Sequence, residues 1–283
     1  MRRKLVWCGC VLAVLTACEH KKATSDVEYP VEENLDVPEA AADSLDFILE
    51  EPEAEEKLPV TADELFDDFV FEFARLKNVQ IERVAFPLPV VMHGKDTAWI
   101  QKEHWKHESL FLRQDYYTVF FNDESQMEME KRTDLNHVDV EWLMPDKNQV
   151  KVYSFEREQG MWRLVREKIS RFQDSPLADF VRFYVKFVSD DEFQLRSVAD
   201  PLRFVTVDPD DDFNVIEGTL SHEQWEAFKP QLPSGTLTNI RYGQTYRTPD
   251  EMVMVKRGIA NGLMDVLSFK KNADGWLLVN YEN

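Results

Sequence analysis

Apolar residues in this chain follow two rhythms, and each rhythm occurs twice. Phe66, Phe69, Val70, Phe73 and Leu76 recur three and four positions apart, as do Leu177, Phe180, Val181, Tyr184 and Val188. That spacing places each set on one face of an amphipathic helix. Thr61 with Glu64 offers a capping box before the first helix, and Ser175-Pro176 a start for the second. Short second helices are expected over Val79–Ala85 and Glu192–Ala199, closed by Pro87 and Pro201. Strand pairs follow, "PLPVVM" with "TAWI" across "HGKD", and "PLRFVTV" with "FNVIEGT" across "DPDDD". A third helix in each copy is expected to carry Trp105 or Trp225, the latter behind a Ser221/Gln224 capping box. The remainder alternates with period two, as an antiparallel meander does. In its last hairpin, "VKVYSF" or "MDVLSF" is expected to return through a six-residue polar connection into "WRLV" or "WLLV".

The wording repeats as well as the rhythm. "SFEREQGMWRLV" (Ser154 to Val165) returns as "SFKKNADGWLLV" (Ser268 to Val279), an offset of 114, and "VAFPL" returns as "VADPL" at the same offset. "DFVFEF" (Asp68 to Phe73) answers to "DFVRFY" (Asp179 to Tyr184) at an offset of 111, and Trp105 to Trp225 at 120. Blocks kept in order with small length changes imply two copies, residues 61–170 and 174–283.

Helix, short helix, hairpin, helix and long meander resemble the cone-shaped fold of the nuclear-transport-factor-2-like (NTF2-like) group. The run "DDFVFEF…QIERVAFPL" and the "SF…W" ending are similar to a Bacteroidales lipoprotein family of unknown function assigned to that fold. The resemblance implies an α+β protein of two tandem cone domains, each a curved antiparallel sheet wrapped on its N-terminal helix. It implies an envelope location and no reaction, since the fold hosts isomerases, dehydratases and plain binding modules.

Charge and cysteine usage complete the outline. The net charge of -20 repels phosphate backbones and excludes nucleic acid as a partner. Arg2, Arg3 and Lys4 precede the apolar "LVWCGCVLAVLTA", a secretory signal over 1–17 that is too short to span a bilayer. Leu15-Thr16-Ala17-Cys18 resembles the bacterial lipoprotein cleavage site, which makes Cys18 the lipidated N-terminus and the membrane its anchor. Cys8 and Cys10 leave with the signal, so no disulfide, thiol nucleophile or thiolate metal site is expected. Residues 19–60 hold 14 acids against 3 lysines and read, with Cys18, as an acidic disordered tether over 18–60. Within it, "SLDFILEE" (Ser44 to Glu51) is an apolar exception.

Candidate chemistry is sparse. An isomerase-like site needs a carboxylate base and an acidic donor inside a cone, for which Tyr116, Tyr117, Asp139 and Glu141 are available in the first copy and Tyr242, Tyr246 and Asp265 in the second. His104 and His107 sit one turn apart near Glu103 and Glu108, but read as a solvated helix face, as "DPDDD" reads as a turn. Trp105 and Trp225 either pin a helix to its own sheet or serve as anchors for a ligand or partner protein. His93 and His137 stand alone, and no phosphate loop or serine elbow is present. The expectation is a lipid-anchored protein of the cell envelope, at the outer membrane and facing the periplasm or the surface. It binds an unknown small molecule or envelope protein through Trp105, Trp225, Tyr116 and Tyr242, without catalytic residues, metal or cofactor. The alternative is a small-molecule isomerase or dehydratase with its site in one cone cavity.

Overall fold

The computed structural model describes residues 63–94, 96–246, 250–259 and 261–283. Cys18, the signal, the acidic stretch and Thr61 of the expected capping box lie outside the described residues. The first half runs α1 (Phe66–Arg75), α2 (Lys77–Arg83), β1 (Leu88–Met92), β2 (Asp96–Ile100), β3 (Tyr116–Phe121), β4 (His137–Met144), β5 (Gln149–Glu158) and β6 (Met161–Arg171). The second runs α3 (Ala178–Ser189), α4 (Asp191–Arg196), β7 (Val198–Asp208), β8 (Asp211–Leu220), α5 (His222–Phe228), β9 (Leu237–Arg241), β10 (Glu251–Gly258), β11 (Met264–Asn272) and β12 (Gly275–Glu282).

The strands form two six-stranded sheets, in the orders β2-β1-β6-β5-β4-β9 and β8-β7-β12-β11-β10-β3. The orders match element for element, except that each sheet ends on a strand from the other half. β9 pairs antiparallel with β4, Asp139 opposite Arg241, and β3 pairs with β10, Phe121 opposite Val253. Where the exchanged strands cross, Thr118 and Thr238 bond reciprocally. Each backbone N–H donates to the other's Oγ1, at 2.7 and 3.1 Å, and each hydroxyl donates to the other's carbonyl, at 2.5 and 3.3 Å. Both residues are buried, so all six of these groups need such partners.

The exchange mixes the two cores. The first gathers Phe66, Phe69 and Phe73 of α1 with Phe155, Trp162 and Leu164, but also Ile240, Tyr242, Val253, Val255 and Val266. The second gathers Phe180, Tyr184 and Phe187 of α3 with Phe269, Trp276 and Leu278, but also Phe120, Leu143, Val150 and Val152. The halves therefore do not bury separate cores.

Ring geometry fixes how the halves correspond. Phe66 meets Phe155 at 5.4 Å and Trp162 at 5.0 Å, while Phe180 meets Phe269 at 5.2 Å and Trp276 at 5.1 Å, all edge-on. Phe69–Phe155 and Phe73–Phe155 likewise reappear as Phe183–Phe269 and Phe187–Phe269. The helices thus correspond at an offset of 114, and the offset of 111 expected for "DFVFEF" is wrong by three residues. A three-residue slip keeps an amphipathic helix on nearly the same face, which makes it hard to detect from the letters alone.

Two further expectations are corrected. Trp105 follows a single 3-10 turn, Lys102–His104, whereas Trp225 lies inside α5 with its capping box formed. Gln101 stands where Ser221 caps α5 and makes no side-chain cap bond, so the first orphan N–H groups there lack a local acceptor. The polar stretches "EREQGM" and "KKNADG" are not loops. β5 runs to Glu158 and turns through Gln159 and Gly160, both at positive φ, the two-residue turn that matches sheet twist. Their polarity reflects strand ends that project beyond the core into solvent.

Candidate functional site

Trp105 and Trp225 are both buried, and each indole N–H is held by a glutamine from the short helix of its own half. Trp105 Nε1 donates to Gln80 Oε1 at 3.1 Å, and Trp225 Nε1 to Gln194 Oε1 at 3.3 Å. Gln80 Nε2 also donates to the carbonyls of Phe73 and Glu108, both at 2.7 Å, and Gln194 Nε2 to that of Phe187 at 2.8 Å. These contacts fasten α1 to α2 and α3 to α4. Gln80 and Gln194 are 114 apart in the sequence, so the repeat offset alone could have exposed them.

The candidate acids and tyrosines fall into three places. The first lies beside α1. Tyr242, just after β9, donates its hydroxyl to Asp67 Oδ1 at 2.6 Å, and Tyr117 stacks on Phe111 at 5.0 Å. Arg257 of β10 bonds Glu130 at 2.7 Å nearby. Burial pushes the Asp67 carboxyl up to about 6, opposed by the Tyr242 hydrogen bond and reinforced by Glu130. The Tyr117 and Tyr242 hydroxyls are pushed up as well, chiefly by burial and next by Asp67. Asp67 escaped the sequence reading because it sits among the phenylalanines of "FDDFVFEF", at the margin of the apolar face.

The second place fastens β9 to β4. Asn239 Nδ2 donates to Glu141 Oε2 at 2.8 Å and to the Tyr246 hydroxyl at 2.9 Å, and that hydroxyl donates to the Phe120 carbonyl at 3.0 Å. Arg241 reaches Glu141 at 3.4 Å and Asp139 at 3.6 Å. Burial raises the Glu141 carboxyl, against the hydrogen bond from Asn239. These side chains hold the exchanged strand.

The third place lies at β10 and β11. Asp265 takes Lys256 Nζ at 2.9 Å and the Tyr281 hydroxyl at 3.0 Å, and Lys256 stands 5.7 Å from the ring of half-buried Tyr116. At the corresponding positions of the first half, Lys151 replaces Asp265 and Glu167 replaces Tyr281. Lys151 bonds Glu167 at 3.2 Å and Glu108 at 3.1 Å. One strand position thus holds opposite charges in the two halves, and the other a carboxylate in place of a neutral tyrosine.

Aromatic rings pack both cores. A groove of about 460 Å³ opens at the start of α3, lined by Asp179, Phe180, Tyr246, Lys271 and Trp276. Its volume is that of a small-molecule site. Asp179 bonds Lys271 at 2.7 Å and Trp276 Nε1 at 3.3 Å, and the Lys271 bond, the larger cause, helps hold its carboxyl below the ordinary range. Tyr116, Tyr242, Trp105 and Trp225 therefore occupy separate positions and do not converge on one site. Among the described residues, no three His, Cys, Asp or Glu side chains are grouped to hold a metal ion.

Comparison with known proteins agrees with this architecture. A family model described as "Domain of unknown function (DUF4348)" matches residues 42–283. The crystal structure of an NTF2-like protein from Bacteroides fragilis NCTC 9343 is 41% identical and superposes with a TM-score of 0.74, covering 80% of this chain and 98% of that one. No curated protein matches. By the span of the family model and the likeness to the Bacteroides structure, the chain belongs to the DUF4348 family and has an α+β, NTF2-like fold.

Proposed function

We propose that the protein is a lipid-anchored binding module of the cell envelope, built from two tandem NTF2-like units over 61–170 and 174–283 and held to the outer membrane through Cys18. The observation that carries the binding reading is the filling of both interiors. Phe66, Phe69, Phe73, Phe155 and Trp162 occupy the first, and Phe180, Phe183, Phe187, Phe269 and Trp276 the second, where an enzyme of this fold needs open space. Ligand-sized concavity lies instead at the rim, in the Trp276 groove. The anchor reading rests on the charged start, apolar core and Leu15-Thr16-Ala17-Cys18 of the sequence. Cys18→Ala should shift the protein from membranes to the soluble fraction; retention on membranes refutes the anchor.

A second reading has one observation in its favour: Asp67, raised to about 6 and bonded to Tyr242, is the acid–base pair that an isomerase or dehydratase would use. NMR titration with small ketones and hydroxy acids separates the two. No shift at Tyr117 or Tyr242 is expected; shifts there, with turnover abolished in Asp67→Asn, would replace the binding module with the enzyme.

A further inference from the structure

Between the matched pairs Pro87/Pro201 and Trp105/Trp225 the second half is six residues longer, as the rise in offset from 114 to 120 requires, and the addition lengthens the β7–β8 hairpin at the edge of its sheet. Among the described residues, β8 is bonded on one side only, to β7. Exposed edges normally carry lysine, proline or a bulge that prevents another strand from pairing. The register breaks at the tip, between Val207 and Asp208, but from Val215 to Leu220 β8 pairs with β7 without interruption and "VIEGTL" contains neither lysine nor proline.

Apolar side chains stand exposed on both faces near the tip, one face also carrying the Arg203–Glu217 ion pair at 2.7 Å. Val207 lies opposite Val215 on one face, at 46% and 67% exposure. On the other, Ile216 at 47% shares the surface with Phe204 and with Phe228 of α5 at 53%, the two rings 6.1 Å apart. Gly218 sits opposite Phe204, and a β-carbon there would meet nothing within 4 Å, so the face is uncovered. At the tip, Asp208, Asp210 and Asp211 gather negative charge, and the chain as a whole carries -20. A second copy would bring like charge, whereas lysine or arginine on a different chain would be attracted.

We propose that β8 is a strand-addition site for an extended segment of a partner protein, with apolar side chains alternating over its two faces and basic residues beside the Asp208–Asp211 tip. Backbone hydrogen bonds to the open edge supply affinity; Val215, Ile216 and the tip carboxylates supply selectivity. The inference rests on the binding-module reading and names the class of partner.

The test uses two labelled peptides, each alternating Val and Thr over seven residues, one flanked at both ends by paired lysines and the other by paired glutamates. Fluorescence anisotropy with the full mature chain should show the basic peptide binding at least about tenfold more tightly. Ile216→Lys should remove that binding without lowering the thermal midpoint, and Thr97→Lys on β2 should leave it intact. Equal affinity for the two peptides, no binding of either, or indifference to Ile216→Lys overturns the proposal. So does a dimer, seen by sedimentation, that Ile216→Lys dissolves, because the edge is then taken by a second copy. None of these results bears on the Asp67 titration, so the enzyme and strand-addition questions fail separately.

Discussion

The two halves place the same rings in the same positions and differ where each core meets the other half's sheet. At the first core, Asp67 and Tyr242 meet Tyr117 and Arg257. At the positions corresponding to Asp67, Tyr117 and Arg257, the second core has Val181, Leu237 and Leu143, all buried. A duplicated core thus keeps its packing while one junction is polar and the other oily. Packing constrains both copies alike, because losing a ring leaves a cavity; the junction chemistry is free to diverge, because either a bonded polar set or an apolar one satisfies burial.

The strongest way to break the comparison is to remove the shared hub. Phe155→Ala and Phe269→Ala should each destabilise by about 3–5 kcal/mol, measured by urea unfolding, and each in a single transition. Two separated transitions would show that the exchanged strands do not couple the halves. Gln80→Leu should cost about 2–3 kcal/mol and Gln194→Leu slightly less, since Gln80 Nε2 donates to two carbonyls and Gln194 Nε2 to one. Equal and negligible losses would mean that the buried tryptophan N–H groups find other partners.

Asp67→Asn addresses the polar junction directly. Its carboxyl titrates near 6 in the folded protein against 3.8 when free, so the folded chain holds the proton more tightly. Stability from this group is full below about pH 4 and declines as pH rises through 6. The shift from 3.8 to about 6 corresponds to at most about 3 kcal/mol, and Asp67→Asn should recover part of it at pH 7.5, flattening the wild-type decline. Val181→Asn in the other half should destabilise at every pH. The smallest effect is expected at the cap: Ser221→Ala should cost about 1 kcal/mol, read as a lower urea midpoint, while Gln101→Ala should change nothing measurable.

Much of the fold was legible because its causes are local. Phe66, Phe69 and Phe73 announce α1 by spacing alone, and Ser221 with Gln224 announces α5. The slip by three in aligning α1 with α3 shows the limit, since a helical face tolerates a shift that only the ring contacts to Phe155 and Phe269 resolve. Of the candidate site, the aromatic and acidic residues could be named but not grouped. Tyr242 and Asp67 stand 175 residues apart, and no local pattern brings them together.

By itself, the sequence determined α1, α3, α5, most of the strands and the repeated phrases, because each follows from periodicity or from recurring wording. Only the tertiary structure decided that β3 and β9 change places, that Asp67 is covered while Val181 stands where it would be, and that β8 lies at the edge of its sheet. Strand partners are chosen across more than a hundred residues by burial and backbone pairing, and those forces act on the assembled sheets rather than on neighbouring letters.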